Sequence, residues 1–472
     1  MRRFFSLFSI FILLAVLLSF SGCASQADAP EKEQKLSLDD SLQTNYDALM
    51  DQFENGGDFQ RFSNYLSQWA KENQIDVKTS NDRYIVLSKA ASSGYEDAET
   101  FTLHAAVTFD NEADQEESLQ SASAVMAALY KAERHGTLKG IFTLETMGEA
   151  VGADALGDTH LKADNFIDMT YAGHTALYNS LAASSEFLAT KEFRTVRPQY
   201  NKAYRVTLKG TPNKSPYKRG SDYPNAIKTI GDLLASCQSS SILFELASFS
   251  GGTSSSLYPE KATALIVLQE NDVESFTNRF ESSFERVEEY YEELEEPFTY
   301  TMTEAKIPKR VLSNTDSNHI VSLMYTITNG TYIRSDKGEI MAASNIGRIS
   351  TKQGLFRMEI NAKSLENNLM DQMRSVFETT CGLCELQYKE TSFVPLWYAS
   401  TRIPLISYLM EKIDSTPSGM LENRAAEIYL EKQPQLNFAI WATDLDGAAE
   451  HLSDLLDYME SFGIVEDEET KQ

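Results

Sequence analysis

The chain contains few of the residues that build disulfide scaffolds, zinc ribbons and nucleic-acid-binding surfaces. Only four of its 472 residues are cysteine, which excludes a disulfide-stapled scaffold and a multi-cysteine zinc ribbon. Lys and Arg total 42 against 69 Asp and Glu, a formal net charge of −27. Because such a chain repels phosphate backbones, no nucleic-acid partner is expected. The hydrophobic content of 42% is enough for a large packed core, and the length favours two or three domains.

The N-terminus predicts export and a lipid anchor. Two arginines precede an uncharged apolar run from Phe4 to Phe20, the arrangement of a secretory signal peptide, although an uncut run of this length can also span a bilayer. The run ends at Phe20-Ser21-Gly22-Cys23, which resembles the box at which bacterial lipoproteins are lipidated and cut. An ordinary signal peptide with a chance cysteine is the alternative. We expect Cys23 to be lipidated and the mature chain to be anchored on the extracytoplasmic face of a bacterial cell membrane.

The order of strand-like and helical patterns predicts an α/β fold. Strands and helices alternate in the first part of the chain, and from about Ala203 they follow in two similar cycles. The second cycle is predicted to contain a strand at Ser322–Thr328 and a helix at 364–377, and the first pattern returns after Pro395. The predicted fold is a phosphorylase/hydrolase-like, split catalytic-type α/β domain interrupted by an α+β lid domain made of two similar halves.

The predicted boundaries follow these changes of pattern. They are a lipoprotein signal peptide at 1–22, a lipidated cysteine and flexible tether at 23–40, the first part of the catalytic-type domain at 41–202, the inserted lid/dimerisation-like domain at 203–392, the second part of the catalytic-type domain at 393–465 and an acidic tail at 466–472.

Several short motifs occur in an order that is typical of one enzyme family. They are Ala90–Asp97, Ser250-Gly251-Gly252, Ala343–Gly347 and Ala425-Ala426-Glu427. Together they resemble the aminoacyl-histidine (Xaa-His or β-alanyl-histidine) dipeptidases, which are two-zinc exopeptidases with an inserted lid or dimerisation domain. The resemblance extends from Leu42 to Phe462. It implies the same split fold and, for a member with an intact site, a metal-dependent dipeptidase.

The resemblance also implies which positions should bear metal ligands and catalytic groups. In this chain those positions hold Ala105, Val107, Ser118, Thr146, Met147, Thr170, Lys214 and Asp446. Neutral side chains at most of them cannot balance two divalent charges, so neither a metal cofactor nor catalysis is expected. Glu427 is retained, and the family's substrate-binding arginine maps to Ala362 or Lys363. If the register is displaced, the candidate ligands for zinc or manganese are His104, Glu117, Glu145, Glu427 and Asp446.

Other possible sites are weakly supported by the sequence. The histidines show no metal-type spacing. Cys381 and Cys384 have the spacing of a redox motif but follow a predicted helix, so we expect either a structural disulfide or two buried thiols. The glycine- and serine-rich segment 251–256 lacks the lysine of a phosphate-binding loop, and a turn is expected there.

These observations favour a catalytically inactive relative of the dipeptidases with a peptide-binding or interaction role in the cleft between its domains. The alternative is an active metal-dependent dipeptidase or aminoacylase-type hydrolase with displaced ligands. A structural partner in an envelope complex is a third class. The acidic cluster Glu288–Glu296 would oppose itself across a two-fold axis of paired inserted domains, so we expect a monomer or a weak dimer.

Overall fold

The computed structural model describes residues 36–171, 173–211, 215–217, 223–294, 297–417, 419–420 and 423–461. The chain divides into two units, Met1–Ser37 and Leu38–Gln472, and the description below concerns the second. The predicted signal peptide, Cys23, Lys214 and the acidic tail lie outside the described residues. Within the described ranges, no helix is both long enough and apolar enough to cross a bilayer.

Strands and helices alternate along most of the chain. The strands are β1 (Asp76–Ser80), β2 (Tyr84–Lys89), β3 (Phe101–Val107), β4 (Leu138–Leu144), β5 (Asn165–Tyr171), β6 (Ala176–Tyr178), β7 (Ser180–Leu181), β8 (Ala183–Glu192), β9 (Thr195–Val196), β10 (Lys202–Lys209), β11 (Phe244–Gly251), β12 (Lys261–Leu268), β13 (Thr299–Glu304), β14 (Val311–Leu312), β15 (Gly330–Arg334), β16 (Ile340–Lys352), β17 (Leu355–Ser364), β18 (Gln387–Val394), β19 (Trp397–Tyr398), β20 (Ser415–Thr416) and β21 (Phe438–Thr443). The helices are α1 (Leu38–Phe53), α2 (Phe59–Glu72), α3 (Glu112–Lys131), α4 (Val151–Ala155), α5 (Asp158–Leu161), α6 (Ala226–Ser239), α7 (Val273–Leu294), α8 (Asn314–Thr326), α9 (Asn367–Leu383), α10 (Pro404–Lys412), α11 (Arg424–Lys432) and α12 (Leu445–Ser461).

The first sheet has the strand order β1-β2-β4-β3-β5-β21-β6-β20. Its centre is parallel, because β3 runs parallel to β4 and β5, and β21 runs parallel to β5. The carboxyl ends of these four strands therefore meet at one edge, which is where open α/β sheets usually bind ligands. One face packs against α1, α2, α3, α10 and α12, and the other packs against α4, α5 and α11.

The sequence forms this buried sheet because its central strands are apolar on both faces. β3 is buried along most of its length, and α3 presents a long buried surface of small and apolar residues to it. Asn111 begins α3 by accepting a hydrogen bond from the backbone N–H of Asp114 at 3.0 Å, which satisfies one of the free donors of the first turn.

The second sheet is antiparallel, with the order β13-β10-β12-β11-β16-β17-β8-β18 and β15 paired to β16. Helices α6, α7, α8 and α9 share a hydrophobic core with one of its faces. The sheet starts earlier in the chain than residue 203, where the inserted domain was predicted to begin, because β8 lies between β17 and β18. The predicted domain boundaries themselves stay predictions, since Leu38–Gln472 forms one compact unit.

The strand predicted at Ser322–Thr328 is wrong, because this segment is the second half of α8. Ser313 begins that helix by accepting from the backbone N–H of Asp316 at 3.2 Å. Ile320, Leu323 and Met324 are buried against the core at helical spacing. The cap and this packing override the strand propensity of the β-branched residues near the end of the segment.

Candidate functional site

The turn that follows β4 occupies the place at which the family's paired glutamates were expected. Thr146 and Glu149 exchange two backbone hydrogen bonds of 3.0 and 2.9 Å. Met147 and Gly148, between them, have φ values of 49° and 70°, which are typical of a type I′ turn. The carboxylate of Asp110 accepts from the Thr146 hydroxyl at 2.8 Å and from the Met147 backbone N–H at 2.5 Å. This carboxylate therefore holds the turn in place.

The expected ligand positions on β3 require a correction. Ala105 and Val107 lie in the core that packs against α3, together with Ile167 and Met169 of β5. Because side chains alternate along a strand, Thr170 points to the other face of the sheet. Ala105 and Val107 thus cannot share a site with Thr170. The residues on the same face as Thr170 are Ala106 and, just past the end of the strand, Thr108, and neither offers an imidazole or a carboxylate.

His104 lies on that second face, in a buried polar network. Its Nδ1–H donates to the carboxylate of Asp168, and its Nε2 pairs with the Thr143 hydroxyl at 2.9 Å. The amide of Asn423 donates to the same carboxylate. His104 and Thr143 are fully buried and Asp168 nearly so. His104 is therefore a satisfied core histidine rather than a displaced metal ligand.

The remaining predicted positions are dispersed. Ser118 lies on α3, where its hydroxyl donates to the backbone oxygen of Gln115 at 2.9 Å, and Glu117 is half-buried beside it. Glu145 directly follows β4, and its backbone N–H donates to Val107 at 2.8 Å. Asp446 lies in α12, but its side chain is outside the described part of the structure.

Cys381 and Cys384 lie at the end of α9 and just beyond it. Both are free and buried, which matches the second of the two alternatives, a pair of buried thiols, and not a disulfide. Burial raises the pKa of the Cys381 thiol to about 12 and also raises the pKa of Cys384. Thiols with raised pKa values in apolar surroundings are unreactive, which argues against a redox role.

Glu427, the acidic residue that the family resemblance retains, is neutralised by two cations. Lys363 Nζ lies 2.7 Å from its Oε1, and Arg424 Nη1 lies 2.8 Å from its Oε2. Burial alone would raise the Glu427 pKa, but the two neighbouring cations outweigh burial and lower it. Lys363 is one of the two positions to which the family's substrate-binding arginine was mapped. In this chain that position forms an internal ion pair.

Arg424 extends this network to two further carboxylates. Its Nη2 lies 2.9 Å from Glu186 Oε1 and 4.0 Å from Glu149 Oε2. The hydroxyls of Ser254 and Ser255 donate to Glu149 at 2.6 Å and to Glu186 at 3.2 Å. Burial and the neighbouring acids raise the Glu186 pKa, although Arg424 and the Ser255 hydroxyl oppose the shift. The network thus connects β8 and β17 of the second sheet to α11 and to the turn after β4.

The side chains at the carboxyl edge of the first sheet do not fit a dinuclear metal centre. Ala106, Thr108, Thr146 and Thr170 offer only methyl and hydroxyl groups, whereas zinc is held by imidazoles, thiolates and carboxylates. Asp444 instead accepts from the Gly447 backbone N–H at 2.8 Å, at the start of α12. In the described ranges, no three His, Cys, Asp or Glu side chains converge closely enough to hold an ion.

The sequence reasoning missed Asp168, Glu186, Asn423 and Arg424. Asp168 had a detectable signal, because it interrupts an otherwise apolar strand, and a charge buried in this way needs a partner. Its partner His104 likewise interrupts the neighbouring apolar strand. Glu186 and Arg424 had no comparable signal, since single charges in short polar surroundings look like surface residues.

The chain is similar to known peptidases in sequence and in fold. It is 21% identical over 416 residues to the cytosol non-specific dipeptidase of Escherichia coli (strain K12), which covers 79% of this chain and 85% of that protein. The aminoacylhistidine dipeptidase from Vibrio alginolyticus matches the structure with a TM-score of 0.57 and 16% identity, over 89% of this chain and 96% of that chain. A tripeptidase from Staphylococcus aureus matches with a TM-score of 0.46 and 10% identity, over 90% and 98% of the two chains. No protein-family model matches the chain.

These similarities confirm the predicted relationship to the dipeptidase family and the predicted α/β fold class. The chain has a metallodipeptidase-like scaffold. The sequence similarity supports the relationship and the structural similarity supports the fold, whereas the chemistry of this chain depends on its own residues.

Proposed function

We propose that this chain is a non-catalytic relative of the dipeptidases that binds peptides between its two sheets and is anchored by lipid on Cys23 outside a bacterial cell membrane. The observation that carries the proposal is the ion pair of Lys363 with Glu427. It uses up both the acid that the family motif retains and the cation at a position mapped to substrate binding.

The chemistry at the carboxyl edge supports the non-catalytic part of the proposal. A two-metal peptidase needs a water with a pKa lowered from about 15.7 to about 7, which requires two concentrated positive charges held by anionic or imidazole ligands. Methyl and hydroxyl groups at Ala106, Thr146 and Thr170 cannot hold such charges. Asp110, the acid nearest this edge, is engaged in the turn at Thr146–Glu149.

The arrangement around Arg424 supports the peptide-binding part. Polar groups from both sheets meet there, and several of them are only partly buried, so they remain available to a ligand. Glu149 is 43% exposed and Glu186 is 22% exposed. Peptides carry both charges and backbone hydrogen-bonding groups, and polar groups that converge between two layers are the usual means of recognising them.

Metal content and peptide turnover test the non-catalytic part. The purified mature chain, kept in detergent micelles, is incubated with zinc or manganese and dialysed, and the bound metal is measured by elemental analysis. Hydrolysis of Ala-His and Ala-Ala is followed by chromatography. We expect substoichiometric metal and no turnover above the rate without protein.

One or more tightly bound ions with chelator-sensitive turnover would overturn this part and would favour the alternative of an active hydrolase with displaced ligands. In that event Glu145→Gln and Glu427→Gln identify the ligands. Glu192→Gln, which makes the same change at the exposed end of β8, is the matched control.

The quaternary state is also part of the proposal. The exposed acidic residues of α7, such as Glu288, Glu289 and Glu292, would repel their copies across a two-fold axis. We propose a monomer or a weak dimer. Sedimentation at low micromolar concentration is expected to give the mass of one chain, and a tight dimer would contradict this.

A further inference from the structure

One face of the second sheet is polar where it meets the first sheet. Lys363 and Asn361 of β17 pair in register with Ser184 and Glu186 of β8. Directly paired residues of antiparallel strands, and residues two apart on one strand, have side chains on the same face. These four polar side chains therefore share a face, although the other face of the same sheet is the hydrophobic core.

The charges on this face do not balance. Glu149, Glu186 and Glu427 surround Arg424 and Lys363, so three carboxylates share two cations. The two cations have their shortest contacts with Glu427 and Glu186, at 2.7 to 2.9 Å. Glu149 is the remote member, 4.0 Å from the guanidinium. The excess of negative charge thus lies on the more exposed side of the cluster.

Asn361 provides an independent indication that a hydrogen-bond donor is missing. Its side chain is completely buried. Within the described residues, its Oδ1 accepts no hydrogen bond, while its Nδ2 makes only a long contact of 3.5 Å with the Ser184 hydroxyl. A buried carbonyl oxygen without a donor costs free energy that a ligand with an N–H group would recover. The neighbouring Lys363 is held by Glu427 and lies 5.3 Å from the centre of the Tyr217 ring.

We infer that Glu186, Glu149 and Asn361 form a binding site for a primary ammonium group, supplied by the amino terminus of a peptide or by a lysine side chain. The inference rests on the proposed function, because it names the part of the peptide that is recognised. An ammonium group has three N–H donors and no acceptor, and the two carboxylates and the amide oxygen are acceptors. A carboxylate ligand fits poorly, since both cations on this face already contact carboxylates.

The raised pKa of Glu186 agrees with this assignment. Burial is its largest cause, and the charges of Glu149 and Glu427 add to it. A cation that binds beside Glu186 would relieve this repulsion.

Binding of n-butylammonium chloride to the mature chain in detergent micelles tests the site itself. Tetramethylammonium chloride is the control cation, because it has the same charge but no N–H donor. We expect n-butylammonium to bind at least about tenfold more tightly, since charge-assisted hydrogen bonds supply most of the interaction. Equal affinity of the two cations would overturn the inference.

Two variants locate the site. Glu186→Gln and Glu149→Gln each remove one carboxylate charge, and each is expected to weaken n-butylammonium binding about tenfold. Glu192→Gln on the same strand as Glu186 is expected to have no effect. Circular dichroism confirms that each variant is folded. If Glu186→Gln fails to fold, the half-exposed Glu149 decides, and affinities equal to those of Glu192→Gln contradict the inference.

Peptide probes separate this inference from the proposed function. Ala-Ala-Ala is compared with N-acetyl-Ala-Ala-Ala, and N-acetyl-lysine amide represents the lysine side chain. We expect the acetylated tripeptide to bind at least about tenfold more weakly than the free one. Equal binding of both tripeptides overturns the ammonium site and leaves peptide binding intact. Binding of n-butylammonium without binding of any peptide supports the site and overturns the proposed function.

Discussion

Lys363 and Glu427 form an ion pair that joins the two sheets, with Nζ of β17 2.7 Å from Oε1 of α11 and side-chain exposures of 0% and 1%. Moving two charges out of water is costly, and only close contact and further hydrogen bonds offset the cost. Arg424 supplies such a bond to the second oxygen of Glu427. Removing one member of this pair therefore leaves an uncompensated buried charge.

Lys363→Met is expected to lower the free energy of unfolding by about 3–5 kcal/mol, the range observed when one partner of a buried ion pair is removed. Urea denaturation of the mature chain measures the change. Lys78→Met, which breaks an exposed pair with Asp76, is the matched control and is expected to change stability by less than about 1 kcal/mol.

The double variant Lys363→Met with Glu427→Leu sharpens this prediction. It removes both charges and is expected to be more stable than either single variant, because no unpaired charge remains buried in the pair. Additive losses from the two single changes would mean that the pair contributes no coupling.

Met147→Gly is expected to stabilise the protein. Met147 has a φ of 49°, a left-handed conformation that costs a residue with a side chain roughly 1–2 kcal/mol and costs glycine little. The side chain is 57% exposed, so its loss removes little packing. Urea denaturation should show a gain of about 1 kcal/mol. Met147→Ala removes the same side chain but keeps the strain, and a gain of equal size in this control would rule out strain as the cause.

The buried His135 is expected to make stability depend on pH. Burial lowers its pKa below the usual 6.5, Lys89 adds to the shift, and a contact with the Gly136 carbonyl opposes it. The unfolded chain therefore takes up a proton at this position at a higher pH than the folded chain. Stability from this group is complete above pH 6.5 and falls as the pH drops below it, by at most about 1.4 kcal/mol per pH unit.

Unfolding measured from pH 8 to pH 5 tests this dependence. His135→Asn keeps a side-chain donor near the Gly136 carbonyl and cannot titrate, so its profile should be flatter than that of the parent. His174→Asn, at an exposed position, should retain the parent profile. Identical slopes for the parent and His135→Asn would exclude His135 as the source.

Cys23→Ala is expected to abolish lipid attachment. Cells grown with labelled palmitate should label the parent and not the variant, and the variant should leave the detergent phase. Cys237→Ala removes a buried cysteine of the second sheet's core and is expected to remain labelled. Labelling of Cys23→Ala would show that the anchor has another origin.

The sequence predicts elements well where the pattern is local. The strand predicted at Phe101–Thr108 and the helix break at Asn55-Gly56-Gly57 agree with β3 and with the gap between α1 and α2. Ser322–Thr328 was misread because its β-branched residues favour a strand, whereas burial of Ile320 and Leu323 on a capped helix decided the structure.

The site was less predictable, because its contacts join distant parts of the chain. Asn423 begins α11 and also donates to Asp168, and Arg424 reaches Glu186. No spacing rule relates such positions. On β3 the single-residue error at Ala105 and Val107 reversed the face on which the expected ligands lie, since strand side chains alternate. The absence of imidazole and carboxylate groups holds in either register.

The strand that is synthesised last, β21, lies inside the first sheet. It pairs with β5 on one side and with β6 on the other. While the chain is being made, these two strands have no neighbour between them until nearly all of it has emerged, and such long-range pairings form slowly. The first sheet therefore closes in one late step. A chain that carries an export signal must cross the membrane before it folds, and late closure would extend the time in which it remains competent for translocation.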